Sequence, residues 1–162
     1  MYFVIADDHP LFRDALKGAV ARLYPDATIA EADTTASLQA LLERSEEPDL
    51  LLLDLHMPGA SGFSGLIHVR ARFPSLPVIV VSGNEEPGVI RRSVAHGASG
   101  YIPKSTGLDE MAKAIAQVLD GDVWLPASMA SSQPTHLSPD EADIAKRLRD
   151  LTPQQFRVLM ML

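Results

Sequence analysis

Short apolar runs alternate along the chain with longer segments in which apolar residues recur every three or four positions. The short runs are typical of buried β-strands, and the longer segments are typical of helices that pack on one side. Because three of the runs are almost continuously apolar, we expect a parallel sheet with helices on both faces. The predicted strands are Tyr2–Ala6, Thr28–Ala32, Leu50–Asp54, Val78–Ser82 and Gly100–Pro103.

A helical segment is predicted after each strand. The first helix carries apolar residues from Leu11 to Leu23 and is followed by Pro25. The others are predicted over residues 37–44, 64–73, 89–96 and 108–120, with Gly97 placed to cap the fourth helix. This (βα)₅ repeat predicts an α/β fold, an open, doubly wound parallel sheet with right-handed crossovers.

The composition of the chain changes after Gly121. Residues 126–139 are rich in Ser, Pro and Ala and are interpreted as a linker. Helix-start patterns follow at Ser138-Pro139-Asp140-Glu141 and at Thr152-Pro153-Gln154-Gln155. The apolar ending at Leu162 leads us to expect a second domain that is cut off.

Composition excludes several classes of protein. The 162 residues carry a formal charge of −7, which differs from the basic character of a self-sufficient nucleic-acid binder. The chain has no cysteine, so disulfides and thiolate chemistry are excluded. No apolar run approaches the ~20 residues that a membrane-spanning helix needs. A cytoplasmic protein without membrane contact is therefore expected.

Polar side chains come directly after, or at the end of, four of the predicted strands. They are Asp7, Asp8, Asp54, Ser82 and Lys104. In open α/β sheets the functional crevice lies at the carboxyl ends of the strands, so these residues are expected to converge. Three crowded carboxylates favour a bound cation, and their hard oxygen ligands suit Mg²⁺.

Asp54 ends the most apolar predicted strand, which should hold its carboxylate rigidly with an exposed tip. A carboxylate beside Mg²⁺ can attack a phosphoryl group and become an acyl phosphate. Asp54 is therefore the candidate nucleophile. Ser82 and Lys104 can then bond the phosphoryl oxygens that arrive with the transfer.

Four motifs in the same order and at the same spacing closely resemble receiver domains of two-component response regulators. They are Ala-Asp7-Asp8-His9-Pro10, Leu-Asp54-Leu-His-Met-Pro58-Gly59, Val-Ser82-Gly83 and Gly-Tyr101-Ile-Pro-Lys104-Ser. With Gly121-Asp-Val-Trp124, the sequence looks most like the NarL/FixJ branch. The segment from Leu151 to Leu162 looks like the beginning of a LuxR-type helix-turn-helix domain.

The resemblance implies a flavodoxin-like, CheY-like fold with strand order 2-1-3-4-5. It implies that a sensor histidine kinase phosphorylates Asp54. Asp7, Asp8, Asp54 and the main-chain carbonyl of His56 would bind Mg²⁺. Ser82 and Lys104 would sense the phosphoryl group, and Tyr101 occupies the aromatic switch position, from which its ring swings inward.

The resemblance also implies domain boundaries and partners. Residues 1–125 would be the receiver domain, 126–150 a linker with a helix, and 151–162 the start of the helix-turn-helix. Phosphorylation would favour a homodimer through the fourth and fifth helices or the first and fifth. Specific DNA binding is not expected of this chain, because the recognition helix would lie beyond Leu162. Residues 122–162, with four basic and five acidic side chains, offer no compensating positive charge.

Two alternatives to the signalling switch stay open. A Mg²⁺-dependent phosphatase or phosphotransferase of the haloacid-dehalogenase type also uses an aspartyl nucleophile. That class requires a second acid two residues after the nucleophile, and this chain has His56 at that position. A phosphorylation-independent interaction module is the other, and the complete set of acids, hydroxyl and lysine argues against it. His9, His68, His96 and His136 lack ligand spacing and are interpreted as surface or packing residues.

Overall fold

A computed structural model of the chain describes residues 1–44, 46–127 and 129. Five parallel strands form one sheet in the order β2-β1-β3-β4-β5, as the resemblance implies. At its centre, Leu52 pairs with Ile5 on one side and with Ile79 on the other. The strands have the predicted bounds: β1 Tyr2–Ala6, β2 Thr28–Ala32, β3 Leu50–Asp54, β4 Val78–Ser82 and β5 Gly100–Pro103.

Each strand is followed by a helix, and the predicted helices are confirmed with shifts of one or two residues at some ends. The second helix begins earlier than predicted because Thr34 and Ser37 form a reciprocal capping box. The fourth begins earlier because Pro87 takes the first helical position. The helices are α1 Pro10–Leu23, α2 Thr35–Leu42, α3 Ser64–Arg72, α4 Pro87–Ala95 and α5 Leu108–Leu119.

Alternate residues of the sheet supply two hydrophobic cores, one on each face. Leu50 and Leu52 pack with residues of α1 and α5, whereas Leu51 and Leu53 pack with residues of α2, α3 and α4. All four leucines are buried, because both faces of the sheet are covered. This arrangement explains why β3 is a continuous apolar run and not an alternating one.

The chain leaves the sheet along the edge of β5. Trp124 forms a parallel bridge with Gly100, and its carbonyl accepts a hydrogen bond from the Tyr101 amide at 3.2 Å. Its side chain packs against the core that α1 and α5 share. At the C-terminal end of α4, Gly97 has a φ of +99°, the left-handed conformation in which glycine caps a helix.

The predicted helices that start near Ser138 and Thr152 lie outside the described residues, as does most of the predicted linker. Within the described part of the chain, none of the helices has both the length and the apolar character needed to cross a membrane.

Candidate functional site

The topology of the sheet brings four strand ends together at one edge. Asp7 follows β1, Asp54 ends β3, Ser82 ends β4 and Lys104 follows β5. The last two strands are tied there by a hydrogen bond of 2.8 Å from the Lys104 amide to the Ser82 carbonyl. Residues that are distant in the sequence therefore share one crevice.

The carboxylates of Asp7, Asp8 and Asp54 form a compact cluster. Asp7 and Asp54 have fully buried side chains, so the exposed tip expected of Asp54 is wrong, because the side chains of His9 and Lys104 lie over it. Asp8 lies at the surface with 30% of its side chain exposed. One atom of each carboxylate, together with one ring nitrogen of His9, lies within 4.8 Å of the others. The His56 amide donates a 2.9 Å hydrogen bond to Asp54 Oδ1, which fixes that carboxylate at the end of β3.

Lys104 places its ammonium group inside this cluster. Nζ lies 3.0 Å from Asp54 Oδ2 and 3.1 Å from Asp7 Oδ2. It also lies 5.2 Å from the centre of the Phe12 ring, so the ammonium group lies between an aromatic ring and the carboxylates. The ammonium therefore offsets part of the negative charge of two buried acids.

His9 belongs to the same cluster, which spacing did not predict. Its ring is 60% exposed, as expected of a surface residue, yet Nδ1 lies 3.0 Å from Asp7 Oδ1 and 3.1 Å from Asp8 Oδ1. Its amide also donates a 2.7 Å hydrogen bond to Asp7 Oδ1. The direct adjacency of His9 to Asp7-Asp8 was the available signal, because the chain turns sharply from β1 into α1 there.

The electrostatics of the cluster fit a divalent cation. Among the described residues, Asp7 Oδ2 and Asp8 Oδ1 are buried atoms that take part in no hydrogen bond, although the Lys104 ammonium is close to the first. Carboxylate oxygens suit both Mg²⁺ and Mn²⁺ as ligands. Asp7, Asp8 and Asp54 therefore form a donor set that suits such an ion.

Ser82 and Tyr101 connect the site to the loop between β4 and α4. Ser82 is buried, and its Oγ accepts a 3.1 Å hydrogen bond from the Asn84 amide. Tyr101 is buried as well, and its hydroxyl donates a short hydrogen bond to the Asn84 carbonyl. The two side chains thus hold the same residue of the loop.

Burial raises the pKa of Tyr101 above its ordinary value of 10.0. The neutral phenol is therefore favoured in the folded state, and the stability it contributes is complete below pH 10 and lost as the pH rises through the higher folded-state pKa. We expect Tyr101→Phe to abolish that loss. The measurement is the free energy of unfolding in urea at pH 9, 10 and 11. With rising pH, this free energy should fall more steeply in the wild type than in the variant, by up to about 1.4 kcal/mol per pH unit. An equal dependence of the unfolding free energy on pH in the two proteins would contradict this prediction.

Comparison with known proteins gives a consistent assignment. Residues 3–116 match the family described as the response regulator receiver domain. The chain is 36% identical over 160 residues to a glycerol metabolism activator of Pseudomonas putida, covering 96% of this chain and 72% of that protein.

Two solved structures are also similar. The receiver domain of the response regulator NarL from Mycobacterium tuberculosis is 31% identical with a TM-score of 0.65, covering 74% of this chain and 96% of that one. A LuxR family DNA-binding response regulator from Silicibacter pomeroyi is 31% identical with a TM-score of 0.69, covering 79% and 98%.

These matches favour a response regulator over the two alternatives from the sequence, the phosphatase and the phosphorylation-independent module. The family match covers β1 from Phe3 onward, the other four strands and most of α5, and therefore every residue of the crevice. The relatives are regulators and not classical enzymes. The chain belongs to the response regulator receiver family, with relatives of the NarL and LuxR type.

Proposed function

We propose that Asp54 accepts a phosphoryl group from a sensor histidine kinase and that this event switches the protein to its active state. The observation that carries the proposal is the buried Asp54 carboxylate, which ends the central strand and has the Lys104 ammonium 3.0 Å away. A carboxylate oxygen attacks phosphorus while the bond from phosphorus to the kinase histidine breaks, and the histidine nitrogen keeps the electron pair. The protein acts as a phosphoacceptor, with at most self-catalysed transfer and hydrolysis.

Asp7, Asp8, Asp54 and the main-chain carbonyl of His56 would hold Mg²⁺ in this proposal. When bound, Mg²⁺ supplies positive charge that offsets the charge of the phosphoryl oxygens. The support is the acceptor-rich character of the cluster, in which the described residues leave buried carboxylate oxygens of Asp7 and Asp8 without a hydrogen bond.

Ser82 and Lys104 would bind the phosphoryl group once it is on Asp54. The Ser82 hydroxyl and the Lys104 ammonium each gain a charge-assisted hydrogen bond to a phosphoryl oxygen, worth roughly 1.5–3 kcal/mol. Reversing a two-state equilibrium from about 1:99 to 99:1 needs about 5.5 kcal/mol. Two such bonds nearly supply that energy, and dimerisation of the active form would contribute the rest.

Tyr101 would transmit the change through the loop it holds. The Tyr101 hydroxyl and Ser82 Oγ both form a hydrogen bond with the main chain of Asn84. A movement of Ser82 toward the phosphoryl group would therefore move Asn84, whose carbonyl accepts the hydrogen bond from Tyr101. The Tyr101 ring is fully buried in an inward position. The proposed switch role requires this position of the ring in the active state.

The output of the switch is transcription control through DNA. The similar Silicibacter pomeroyi protein is a DNA-binding response regulator of the LuxR family, and residues 151–162 resemble the start of such a domain. We assign specific DNA contacts to the complete helix-turn-helix. A partner kinase and a DNA target both imply action in the cytoplasm.

The test is phosphorylation by acetyl phosphate, followed by intact-mass spectrometry. With Mg²⁺ we expect one added phosphoryl group in the wild type and none in Asp54→Asn. The matched control is Asp26→Asn, an exposed acid just before β2 and hence at the opposite edge of the sheet, which should be phosphorylated like the wild type. Addition that survives Asp54→Asn would refute the assignment of the phosphoacceptor. No addition to a folded wild type with Mg²⁺ bound would favour the phosphorylation-independent module.

A further inference from the structure

The imidazole of His9 lies at the spacing of a metal ligand in the acidic cluster. Its Nδ1 is 3.0 Å from Asp7 Oδ1, 3.1 Å from Asp8 Oδ1 and 3.7 Å from Asp54 Oδ2. Two adjacent ligands of an octahedral ion, each about 2.1 Å from the ion, are about 3.0 Å apart. Nδ1 therefore adds one ligand atom to the carboxylates, on the side of the cluster that faces solvent.

The lone pairs around Nδ1 converge on a positive charge, which in this structure is the Lys104 ammonium. Lys104 Nζ lies 2.8 Å from Nδ1, and because an ammonium only donates, Nδ1 has to accept there. The carboxylate oxygens of Asp7 and Asp8 carry lone pairs as well, and they lie 3.0 and 3.1 Å from Nδ1. A metal ion that displaces the ammonium would be bonded by the same nitrogen and carboxylate lone pairs.

The buried side chain of Asp7 faces the same position. It is completely shielded from solvent, and its Oδ2 takes part in no hydrogen bond among the described residues, although the Lys104 ammonium lies 3.1 Å away. Its other oxygen, Oδ1, receives the His9 amide and faces His9 Nδ1. The Asp7 carboxylate and the His9 ring therefore face one position, which the Lys104 ammonium occupies in this structure.

We propose that His9 Nδ1 is an additional metal ligand, which gives this site a preference for ions that accept imidazole, such as Mn²⁺ and Zn²⁺, over Mg²⁺. Imidazole suits transition-metal ions, whereas Mg²⁺ takes oxygen ligands and keeps its waters. This inference rests on the proposed function, because it uses the same cluster around Asp54. It adds a metal specificity that the acids alone do not provide.

The direct test is pulsed electron paramagnetic resonance of Mn²⁺ bound to the whole chain. We expect the spectrum of the wild type to contain a coupling to a histidine nitrogen, and His9→Ala to lose it. The matched control is His68→Ala on α3, where the ring contacts Gln39, and this variant should retain the coupling. A wild type without nitrogen coupling, or a coupling that persists in His9→Ala, would overturn the proposal.

Calorimetric titrations with Mn²⁺ and Mg²⁺ separate this inference from the proposed function. In His9→Ala the affinity for Mn²⁺ should fall at least about tenfold, the scale on which even indirect changes around a metal act. The affinity for Mg²⁺ should change less than about threefold, because a water replaces the nitrogen. Equal losses for both ions would overturn the proposed selectivity. Failure of the wild type to bind either ion would remove the metal site of the proposed function as well.

Discussion

Replacing Lys104 with methionine is expected to lower the free energy of unfolding by about 3 kcal/mol when no divalent ion is present. Methionine keeps the apolar stem but removes the only cation that lies within 3.1 Å of Asp7 Oδ2 and Asp54 Oδ2 among the described residues. Loss of one partner from a buried ion pair leaves the other charge uncompensated and costs about 3–5 kcal/mol. The low end is expected, since 19% of the Lys104 side chain is exposed.

Urea denaturation with added chelator measures this effect. Lys113→Met is the matched control, because Lys113 is 71% exposed and, within the described part of the chain, forms an ion pair only with Glu110 of its own helix, an interaction worth about 0.5 kcal/mol or less. Combining Lys104→Met with Asp54→Asn should cost less than the sum of the two single changes, since one uncompensated charge is then absent. A loss below about 1 kcal/mol for Lys104→Met alone would contradict a buried charge pair.

Adding Mg²⁺ should recover stability in Lys104→Met more than in the wild type. An ion that binds only the folded state adds about 2.7 kcal/mol at a concentration of 100 times its Kd. In the variant the ion meets no competing ammonium among the carboxylates of Asp7 and Asp54. Equal gains in the two proteins would show that Lys104 and the ion do not share this space.

The strands could be predicted to the residue, whereas some helix ends could not. A buried parallel strand is apolar on both faces, so its ends are marked where polar residues such as Asp7 and Asp54 begin. Helix α2 begins with a capping box in which the third residue is Ser37 and not Glu or Gln. That pattern is weaker in the sequence because Ser is also common in turns.

Part of the candidate site could likewise be predicted from the sequence, and part could not. Topology alone brings Asp7, Asp54, Ser82 and Lys104 to one edge, because the carboxyl ends of parallel strands meet there. The contact of Lys104 with two carboxylates depends on its side-chain conformation and on packing over Phe12. The place of His9 depends on how the chain turns between β1 and α1, which no periodicity encodes.

Truncation of either Leu52 or Leu53 to alanine is expected to lower the free energy of unfolding by about 3 kcal/mol. The two side chains point to opposite faces of β3, Leu52 toward the core of α1 and α5 and Leu53 toward that of α2, α3 and α4. Both are buried, and Leu→Ala changes in such cores cost about 2–5 kcal/mol through lost burial and the cavity that remains.

The paired measurement tests the architecture and not only the packing of one residue. In a sheet with one solvated face, neighbouring leucines would differ sharply, and one of the two truncations would cost about 0.5 kcal/mol or less. Leu11→Ala gives that reference value, because Leu11 is 87% exposed at the start of α1. Similar large losses for Leu52→Ala and Leu53→Ala, measured by urea denaturation, require helices on both faces. Since Asp54 follows directly, the same two layers of side chains hold the proposed phosphoacceptor in place.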